Sequence, residues 1–273
     1  MNKNIDLFGG TGFIGSNFFE LYKEETNLHD RNDNVPVCKN ILYMISTTDN
    51  YNVLEDPYKD INVNLIKLIN VLENCKNKNF IFNFISSWFV YGETDLPAKE
   101  TSPCNPKGFY SITKKCAEDL LISYCKTFKI NYRILRLANV YGNNDKGISK
   151  KKNALTYLIN KIKNNEDINL YFDGQFIRDY IHVKDACKAI KLCVDKGEFN
   201  QIYNIGNGEP LIFKNIIDFV LNKTNSKSKV IAVDQPDFHK IVQVKDMFLN
   251  IDRIKKLGFQ SRVNIYEGIL KLL

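Results

Sequence analysis

The sequence lacks the features that mark several classes of protein. It has no apolar run near the roughly 18 residues of a membrane-spanning helix, and its N-terminus has no long apolar stretch followed by a small-residue cleavage site. With one tryptophan, it also has no basic face interleaved with aromatic residues. We therefore expect a cytoplasmic protein that binds neither membranes nor nucleic acid.

Cysteine and histidine are too scattered for a disulfide framework or a metal site. None of the seven cysteines belongs to a Cys-x-x-Cys pair, and the three histidines are not spaced as metal ligands. We expect reduced thiols and no bound metal. The net charge of +7 is spread along the chain and suits an anionic small ligand.

Short apolar runs alternate with helical patterns along the first half of the chain. At 273 residues and 44% hydrophobic composition, the chain is long and apolar enough for a substantial core. The strand candidates are residues 5–8, 41–45, 80–85 and 132–137. Strands that alternate with helices predict a parallel sheet.

A glycine-rich turn, Gly9-Gly10-Thr11-Gly12-Phe13-Ile14-Gly15, directly follows the first predicted strand and leads into a helix. Gly9 permits a tight turn, Gly12 lets the backbone approach a pyrophosphate, and Gly15 lets the helix pack closely. The helix N-terminus then offers amide donors to the anion. We predict that this turn binds a dinucleotide and that the cofactor-binding residues include Gly9, Gly12, Phe13, Ile14 and Gly15.

The adenosine ribose of such a dinucleotide is held by an acidic residue roughly 20 positions beyond the turn. Asp30 lies there, and its neighbour Arg31 is placed to meet a 2′-phosphate instead. A solvated loop explains either residue equally well. The cofactor is therefore NAD or NADP, with NAD favoured.

The fold class follows from the turn and the alternating pattern. We predict an α/β Rossmann-type doubly wound parallel sheet with a smaller C-terminal α/β substrate lobe. Only some twenty residues separate the first helix from Ile41, so the second-strand region is shortened. The dinucleotide-binding domain is predicted to span 1–142, with returning segments near 168–205, and the C-terminal lobe to occupy mainly 143–273.

Tyr110 and Lys114 are predicted to lie one turn apart on the same face of a helix. A nearby cation stabilises the phenolate of a tyrosine, so this phenol can exchange a proton while hydride moves to or from a nicotinamide. Such a pair also occurs on solvated helices. Ser86 and Ser87 leave the third predicted strand at its carboxyl end, where open α/β sheets bind ligands, although a strand-end turn is an alternative role for Ser87.

The chain resembles the extended short-chain dehydrogenase/reductase superfamily, in its branch of NAD-dependent nucleotide-sugar epimerases, dehydratases and reductases. The spacing Gly-x-x-Gly-x-x-Gly and the segment Ser86-Ser87-Trp88-Phe89-Val90-Tyr91-Gly92 carry the resemblance. Further similar segments are residues 64–73, 135–142, 178–183, 203–206 and 256–259. In 64–73, Lys67 and Leu68 replace the Gly-Thr of the family.

The resemblance implies roles for individual residues. Tyr110 is the acid/base, Lys114 its electrostatic and ribose-binding partner, and Ser87 the hydroxyl that orients the substrate. Asn64 and Ser86 join Tyr110 and Lys114 among the implied cofactor contacts. The implied substrate contacts are Ser87, Trp88, Tyr110, Asn139, Asn153, Arg178 and His239. An ion pair with Asp179 or Asp185 is an alternative role for Arg178, and Lys240 an alternative to His239.

The sequence departs from the dehydratases of this branch, which carry an Asp-Glu pair directly after the catalytic hydroxyl. Trp88 and Phe89 stand there instead, and neither transfers a proton. This departure leaves epimerisation and one-way reduction of a keto sugar, which use the same active-site residues. We predict a nucleotide-sugar epimerase, in line with the resemblance. The alternatives are an NADPH-dependent 4-keto-6-deoxy-sugar reductase and a non-catalytic dinucleotide sensor.

The expected partner is a nucleotide-diphosphate sugar. The resemblance also implies a homodimer formed through the helices near residues 61–74 and 110–126.

Overall fold

Strands and helices alternate along most of the chain in the computed structural model, which describes residues 3–143, 145 and 154–273. The strands are β1 (Ile5–Phe8), β2 (Thr26–Leu28), β3 (Asn40–Tyr43), β4 (Ile81–Ser87), β5 (Asn131–Leu137), β6 (Asn139–Tyr141), β7 (Ile168–Tyr171), β8 (Ile177–Arg178), β9 (Tyr180–His182), β10 (Gln201–Ile205), β11 (Leu211–Ile212) and β12 (Val230–Val233). The α-helices are α1 (Phe13–Leu21), α2 (Asn52–Glu55), α3 (Tyr58–Ile61), α4 (Lys67–Glu73), α5 (Phe109–Phe128), α6 (Ala154–Lys163), α7 (Val183–Lys196), α8 (Phe213–Thr224), α9 (Asp237–Val242), α10 (Asp252–Lys256) and α11 (Ile265–Leu270). A π-helical turn, Asn62–Ile66, joins α3 to α4.

Six parallel strands form the central sheet, in the order β10-β5-β4-β3-β1-β2. Every residue of β1 and β3 is buried, as expected for strands covered on both faces. The chain pairs β2 with one side of β1 and then crosses to place β3 on the other side. The predicted Rossmann-type doubly wound α/β fold is therefore confirmed.

The second-strand region is short, as predicted. β2 has three residues, all paired with β1, and residues 29–39 lead to β3 without a further strand in this fully described stretch. Asp6, buried within β1, accepts hydrogen bonds from the backbone amides of Val37 and Cys38, both at 2.6 Å. A side chain of the first strand thus anchors the connection to β3.

Helices cover both faces of the sheet. On one face α1 and α7 pack against each other over a core that includes Phe18, Ile190 and Ile205. On the other face, Leu72 of α4 and Leu121 of α5 belong to a second apolar cluster. Among the described residues, no helix is long and apolar enough to cross a bilayer.

A third apolar cluster brings together α6, α8 and α11 with β7 and β9. The short strands of this region pair as β6 with β9, β7 with β12, and β8 with β11. β10 returns to the central sheet beside β5. Side chains of this cluster face those at the strand ends of the sheet across one cleft.

Candidate active site

A cleft of about 1360 Å³ lies at the carboxyl ends of the sheet strands. Its walls come from the turn after β1, the segment after β3, the end of β4, the chain after β5 and the third apolar cluster. β1 and β3 are the strands between which the order of the sheet reverses. Doubly wound sheets bind ligands at this point.

The glycine turn after β1 lines one end of the cleft. Gly9 has a φ of +89°, and a Cβ there would lie 2.9 Å from the backbone nitrogen of Ile45. A Cβ on Gly15 would lie 2.3 Å from the Gly9 carbonyl oxygen, so α1 approaches the turn only because residue 15 is glycine. Gly12 directly precedes α1. Gly12 and the first two residues of α1, Phe13 and Ile14, line the cleft. This cradle at a helix N-terminus fits the diphosphate of a dinucleotide.

Alanine substitutions at two of these glycines are expected to separate packing from binding. Gly15→Ala should lower the free energy of unfolding by about 1–3 kcal/mol, the usual cost of overpacking. Gly12→Ala should change it by less than about 0.5 kcal/mol, because its Cβ would meet only the Gly9 oxygen at 3.4 Å. Gly12→Ala should nevertheless weaken dinucleotide binding, because its methyl group occupies the cradle that receives the diphosphate. Urea unfolding and dinucleotide titration measure both effects, and equal destabilisation by the two substitutions would contradict this account.

His29, rather than Asp30, enters the cleft where β2 ends. His29 and Arg31 line the cleft, whereas Asp30 is exposed outside it. The imidazole Nε2 lies 2.8 Å from Asp6 Oδ1, and Nδ1 lies 2.6 Å from Asp33 Oδ2. Burial lowers the pKa of His29, but its bonds to the two carboxylates outweigh burial and raise it. The structure therefore does not bring the predicted ribose ligand, Asp30, to the site.

Asn64 lies outside the cleft wall and is 2% exposed. Its Nδ2 donates to Thr47 Oγ1 and Thr113 Oγ1, both at 2.9 Å, and its Oδ1 accepts from the Ser46 hydroxyl and the Thr47 amide. These four bonds use the full capacity of the amide and tie the segment after β3 to α5. The predicted cofactor contact is thus corrected, because Asn64 positions two walls of the cleft.

Tyr110 and Lys114 lie on the buried face of α5 and line the cleft, with exposed fractions of 7% and 2%. Lys114 Nζ donates to the Ile85 carbonyl oxygen at 2.7 Å and lies 4.1 Å above the centre of the Phe84 ring. Burial lowers the pKa of Lys114 to about 7. α5 therefore supplies a phenol and a readily titrated amine to one point of the cleft.

The Tyr110 phenol meets two serine hydroxyls. Burial raises the pKa of Tyr110 to about 12, while hydrogen bonding with Ser87 and Ser46 acts in the opposite direction. Ser87 ends β4, and its Oγ accepts a hydrogen bond from the Phe89 amide at 3.3 Å. A phenol, an amine and an oriented hydroxyl form a group that can hold and move a proton at a substrate oxygen.

Ser86 lines the same cleft and is 3% exposed. In the described part of the chain, its Oγ has no hydrogen-bond partner. Buried hydroxyls are normally satisfied, so this one fits a polar atom of a bound group. Together with the glycine cradle, this orphaned hydroxyl makes the site suitable for a nicotinamide dinucleotide.

Two aromatic rings follow β4 in the cleft wall. Trp88 and Phe89 stack with centres 3.9 Å apart, and Phe89 meets Tyr110 edge-on at 6.0 Å. Trp88 Nε1 donates to Asn139 Oδ1 at 3.3 Å, and Asn139 Nδ2 donates to the Asp179 carbonyl oxygen at 3.0 Å. Asn139 therefore lines the cleft while its amide holds Trp88 in place.

Arg178 lines the cleft with its guanidinium bonded to backbone oxygens. Its two terminal nitrogens donate to the carbonyls of Lys245 at 2.5 Å and Val244 at 2.9 Å. The neighbouring Asp179 carboxylate accepts instead from backbone amides, including that of Asn207 at 2.8 Å. Burial lowers the pKa of Arg178. The cation is thus fixed in the wall by carbonyl groups rather than by an ion pair with Asp179.

His239 lies in the part of the cleft wall that α9 supplies. Its Nδ1 lies 2.9 Å from the Tyr51 hydroxyl, and its ring centre lies 4.7 Å from that of Tyr171. Asn153, the remaining predicted substrate contact, lies outside the described residues.

The segment 46–52, which follows β3, lines the cleft at every position, although only the structure reveals it as part of the site. It contributes Ser46 near the phenol, Asp49, and Tyr51 beside His239. A signal was present in the sequence, because this polar run directly follows a buried strand. The carboxyl ends of parallel strands share one edge of a sheet.

Comparison with known proteins identifies the family to which this chain belongs. The chain belongs to the NAD dependent epimerase/dehydratase family, whose sequence profile matches residues 46–206, more than half of its length. The resemblance found in the sequence is confirmed.

Two curated relatives illustrate the range of the family. A Methanocaldococcus jannaschii protein provisionally named a UDP-glucose 4-epimerase is 28% identical over 227 residues, which cover 81% of this chain and 72% of the relative. The dTDP-4-dehydro-6-deoxyglucose reductase of Escherichia coli is 29% identical over 223 residues, which cover 81% and 68%.

Solved structures of similar fold cover nearly the whole chain. The Thermus thermophilus UDP-glucose 4-epimerase complexed with NAD has a TM-score of 0.84 at 23% identity, covering 100% of this chain and 97% of its own. RMD of Pseudomonas aeruginosa complexed with NADPH has a TM-score of 0.85 at 17% identity, covering 99% and 97%. The family is NAD dependent by its description, and these two structures hold NAD and NADPH, in agreement with the predicted NAD or NADP cofactor.

Proposed function

We propose that this chain is a NAD(P)-dependent oxidoreductase that acts on one ring carbon of a nucleotide-diphosphate sugar. The convergence of Tyr110, Lys114 and Ser87 in a cleft whose other end is the glycine cradle carries this proposal. A protein that only sensed a dinucleotide would not need this proton-transferring group. The family membership supports a nucleotide-sugar substrate.

The reaction follows from the arrangement of these side chains. A bound nicotinamide ring supplies or takes up the hydride. Ser87 donates a hydrogen bond to the sugar oxygen, and Tyr110 gives that oxygen its proton as the carbonyl becomes an alcohol. Lys114 stabilises the phenolate that remains, and the reverse reaction returns the proton to Tyr110.

The side chains after Ser87 disfavour dehydration. Elimination of water needs an acid and a base of its own, and the stacked Trp88 and Phe89 rings occupy the positions that carry them in dehydratases. Asn139 already engages the Trp88 N–H. We therefore propose a reaction at the carbinol or keto carbon without loss of water.

The same aromatic pair favours a one-way reductase. The resemblance to dehydratases implies that residues 88 and 89 face the C5–C6 side of the sugar. The Trp88 and Phe89 rings offer that side of the sugar no free polar group. A buried hydroxymethyl group would lose its hydrogen bonds there, whereas a methyl group would not. We propose reduction of a 4-keto-6-deoxy nucleotide sugar as the net reaction.

Epimerisation, the reaction predicted from the sequence, is the second candidate. It uses the same three side chains and returns the hydride to the other face of the transient keto sugar. The similarity to the Methanocaldococcus jannaschii relative favours it.

Product analysis with a panel of UDP- and dTDP-sugars, including 4-keto-6-deoxy sugars, tests the two candidates. A reductase consumes one equivalent of reduced cofactor per keto sugar. An epimerase interconverts two nucleotide sugars with no net change in cofactor. Absence of both reactions across the panel would contradict the proposed function.

The substrate end of the cleft is suited to the nucleotide. Arg178 offers a fixed cation for the diphosphate, although its two terminal nitrogens already serve carbonyls. The Tyr171, Tyr51 and His239 rings offer flat surfaces for a base.

We also propose that the chain forms a homodimer. Leu54, Tyr58, Ile66 and Ile112 are exposed apolar side chains on neighbouring elements, namely α2, α3, the π-helical turn and α5. Clustered apolar surface of this kind marks an interaction site. Sedimentation should show a dimer that Tyr58→Asp with Ile112→Asp converts to a folded monomer, and a monomeric wild type would refute the proposal.

A further inference from the structure

The cleft carries no free carboxylate where β2 ends, among the residues described there. His29 fills this position, and its two ring nitrogens are taken by Asp6 and Asp33. Both carboxylates have further partners, since Asp6 accepts from the amides of residues 37 and 38, and Asp33 Oδ1 accepts from the Val35 amide at 2.9 Å. Asp6 is saturated, because it also accepts from Asn27 Nδ2 at 2.8 Å, and neither carboxylate lines the cleft, so neither takes the place of an NAD-binding acid.

Two cations line this end of the cleft. Arg31 follows His29 by two positions, and Lys67 reaches it from α4. Lys67 Nζ donates a hydrogen bond to the Arg31 carbonyl oxygen, so it fixes the loop that presents the guanidinium. Among the described side chains, Arg31 has no carboxylate within ion-pair distance. Lys59 of α3 also lines the cleft.

We propose that Arg31 and Lys67 form a subsite for the 2′-phosphate of NADP(H), so that this chain discriminates against NAD(H). This inference rests on the proposed function only in requiring that the cleft binds a nicotinamide dinucleotide. The guanidinium presents a fork of N–H donors to the phosphate oxygens, and Lys67 adds a point charge.

The chemistry of the donors distinguishes the phosphate from a plain ribose. A 2′-hydroxyl and its neighbouring 3′-hydroxyl are held by an acceptor, and a carboxylate there would repel a phosphate. Here the groups free to interact are cationic donors, which are matched to a dianion. Asp30 is adjacent in sequence but exposed outside the cleft, so its charge is screened by solvent.

Equilibrium binding measures this selectivity without any sugar substrate. Calorimetric titrations with NADPH, NADH, 2′,5′-ADP and 5′-AMP should be made on the wild type and on Arg31→Gln, Lys67→Gln and Asp30→Asn. Lys126→Gln, which removes an exposed charge at the far end of α5, is the matched control.

The wild type should bind NADPH at least about tenfold more tightly than NADH, and 2′,5′-ADP more tightly than 5′-AMP. Arg31→Gln and Lys67→Gln should each weaken NADPH binding about five- to tenfold, with NADH binding changed less than about twofold. Asp30→Asn and the Lys126 control should leave the selectivity unchanged.

Three results would overturn the inference. The first is a wild type that binds NADH as tightly as NADPH. The second is an equal loss of affinity for NADPH and NADH in Arg31→Gln and Lys67→Gln. The third is a loss of affinity for NADH in Asp30→Asn. All three leave dinucleotide binding, and hence the proposed function, intact. Failure of every dinucleotide to bind would instead overturn the proposed function as well.

Discussion

Replacement of Tyr110 by phenylalanine should lower turnover about 10²- to 10⁴-fold, the range that general acid–base groups contribute. The substitution removes one hydroxyl from a ring that is 7% exposed and held on α5 beside Phe89. The ring itself stays, so the fold and the glycine cradle are unaffected. Steady-state kinetics and cofactor titration on the same preparation measure both effects.

Tyr124→Phe provides the matched control for this loss. Tyr124 lies on the same helix, but its hydroxyl donates to Glu73 Oε1 at 2.7 Å, away from the cleft. Its removal should leave turnover within about twofold of the wild type, as for surface substitutions in general. Unchanged turnover in Tyr110→Phe would remove the central residue from the proposed mechanism.

Lys114→Met should abolish most of the activity and at the same time stabilise the unliganded protein near neutral pH. Loss of one preorganised electrostatic group typically costs about 10²- to 10³-fold in turnover. The gain in stability arises because the ammonium group is buried, with the Ile85 carbonyl as its hydrogen-bond acceptor. Methionine fills similar space without a charge.

The pH dependence of stability isolates the buried amine. Burial lowers the pKa of Lys114 from 10.5 to about 7, so between these values the unfolded chain binds more protons than the folded chain. The contribution of Lys114 to wild-type stability should therefore rise with pH from about 7 to about 10.5. Thermal unfolding from pH 6.5 to 9.5 should show the advantage of Lys114→Met shrinking as pH rises. An advantage independent of pH would contradict the assignment.

Local patterns were sufficient to predict the glycine turn and the pair on α5. The turn is short, and its glycines are needed because backbone atoms of the turn approach each other, as the 2.3 Å contact of a Cβ on Gly15 shows. Tyr110 and Lys114 share a face because helical geometry fixes their spacing. The strand end located Ser86 and Ser87 together, since strand ends of a parallel sheet meet at one edge, and the family resemblance singled out Ser87.

At the adenosine end the sequence predicted Arg31, which lines the cleft, but not the exchange of Asp30 for His29, because that exchange depends on contacts distant in sequence. Spacing from the glycine turn pointed to Asp30, whereas the structure places His29 in the cleft. The cause lies in β1, where the buried Asp6 holds the imidazole from 23 residues away. Asp6 bonds both His29 and the backbone of residues 37 and 38. Local sequence spacing gives no sign of such contacts.

Asn64 illustrates how a family landmark can be correct in position and different in role. The resemblance located the residue, but its four hydrogen bonds are to Ser46, Thr47 and Thr113, which come from other elements. Only the packed structure shows that these bonds saturate the amide. Segment 46–52 was missed for the related reason that its importance comes from the sheet order, in which the chain crosses from β2 to the other side of β1 to form β3.

The central claim, that Tyr110 and its neighbours move a hydride between a nicotinamide and a sugar carbon, is tested most directly by isotope transfer. The enzyme is mixed with a 4-keto-6-deoxy nucleotide sugar and NADPH or NADH deuterated at the transferred C4 position, and the product is examined by mass spectrometry and NMR. We expect one deuterium on sugar carbon 4 with the wild type, and little or none with Tyr110→Phe. A product without deuterium, or equal labelling by both proteins, would contradict the account.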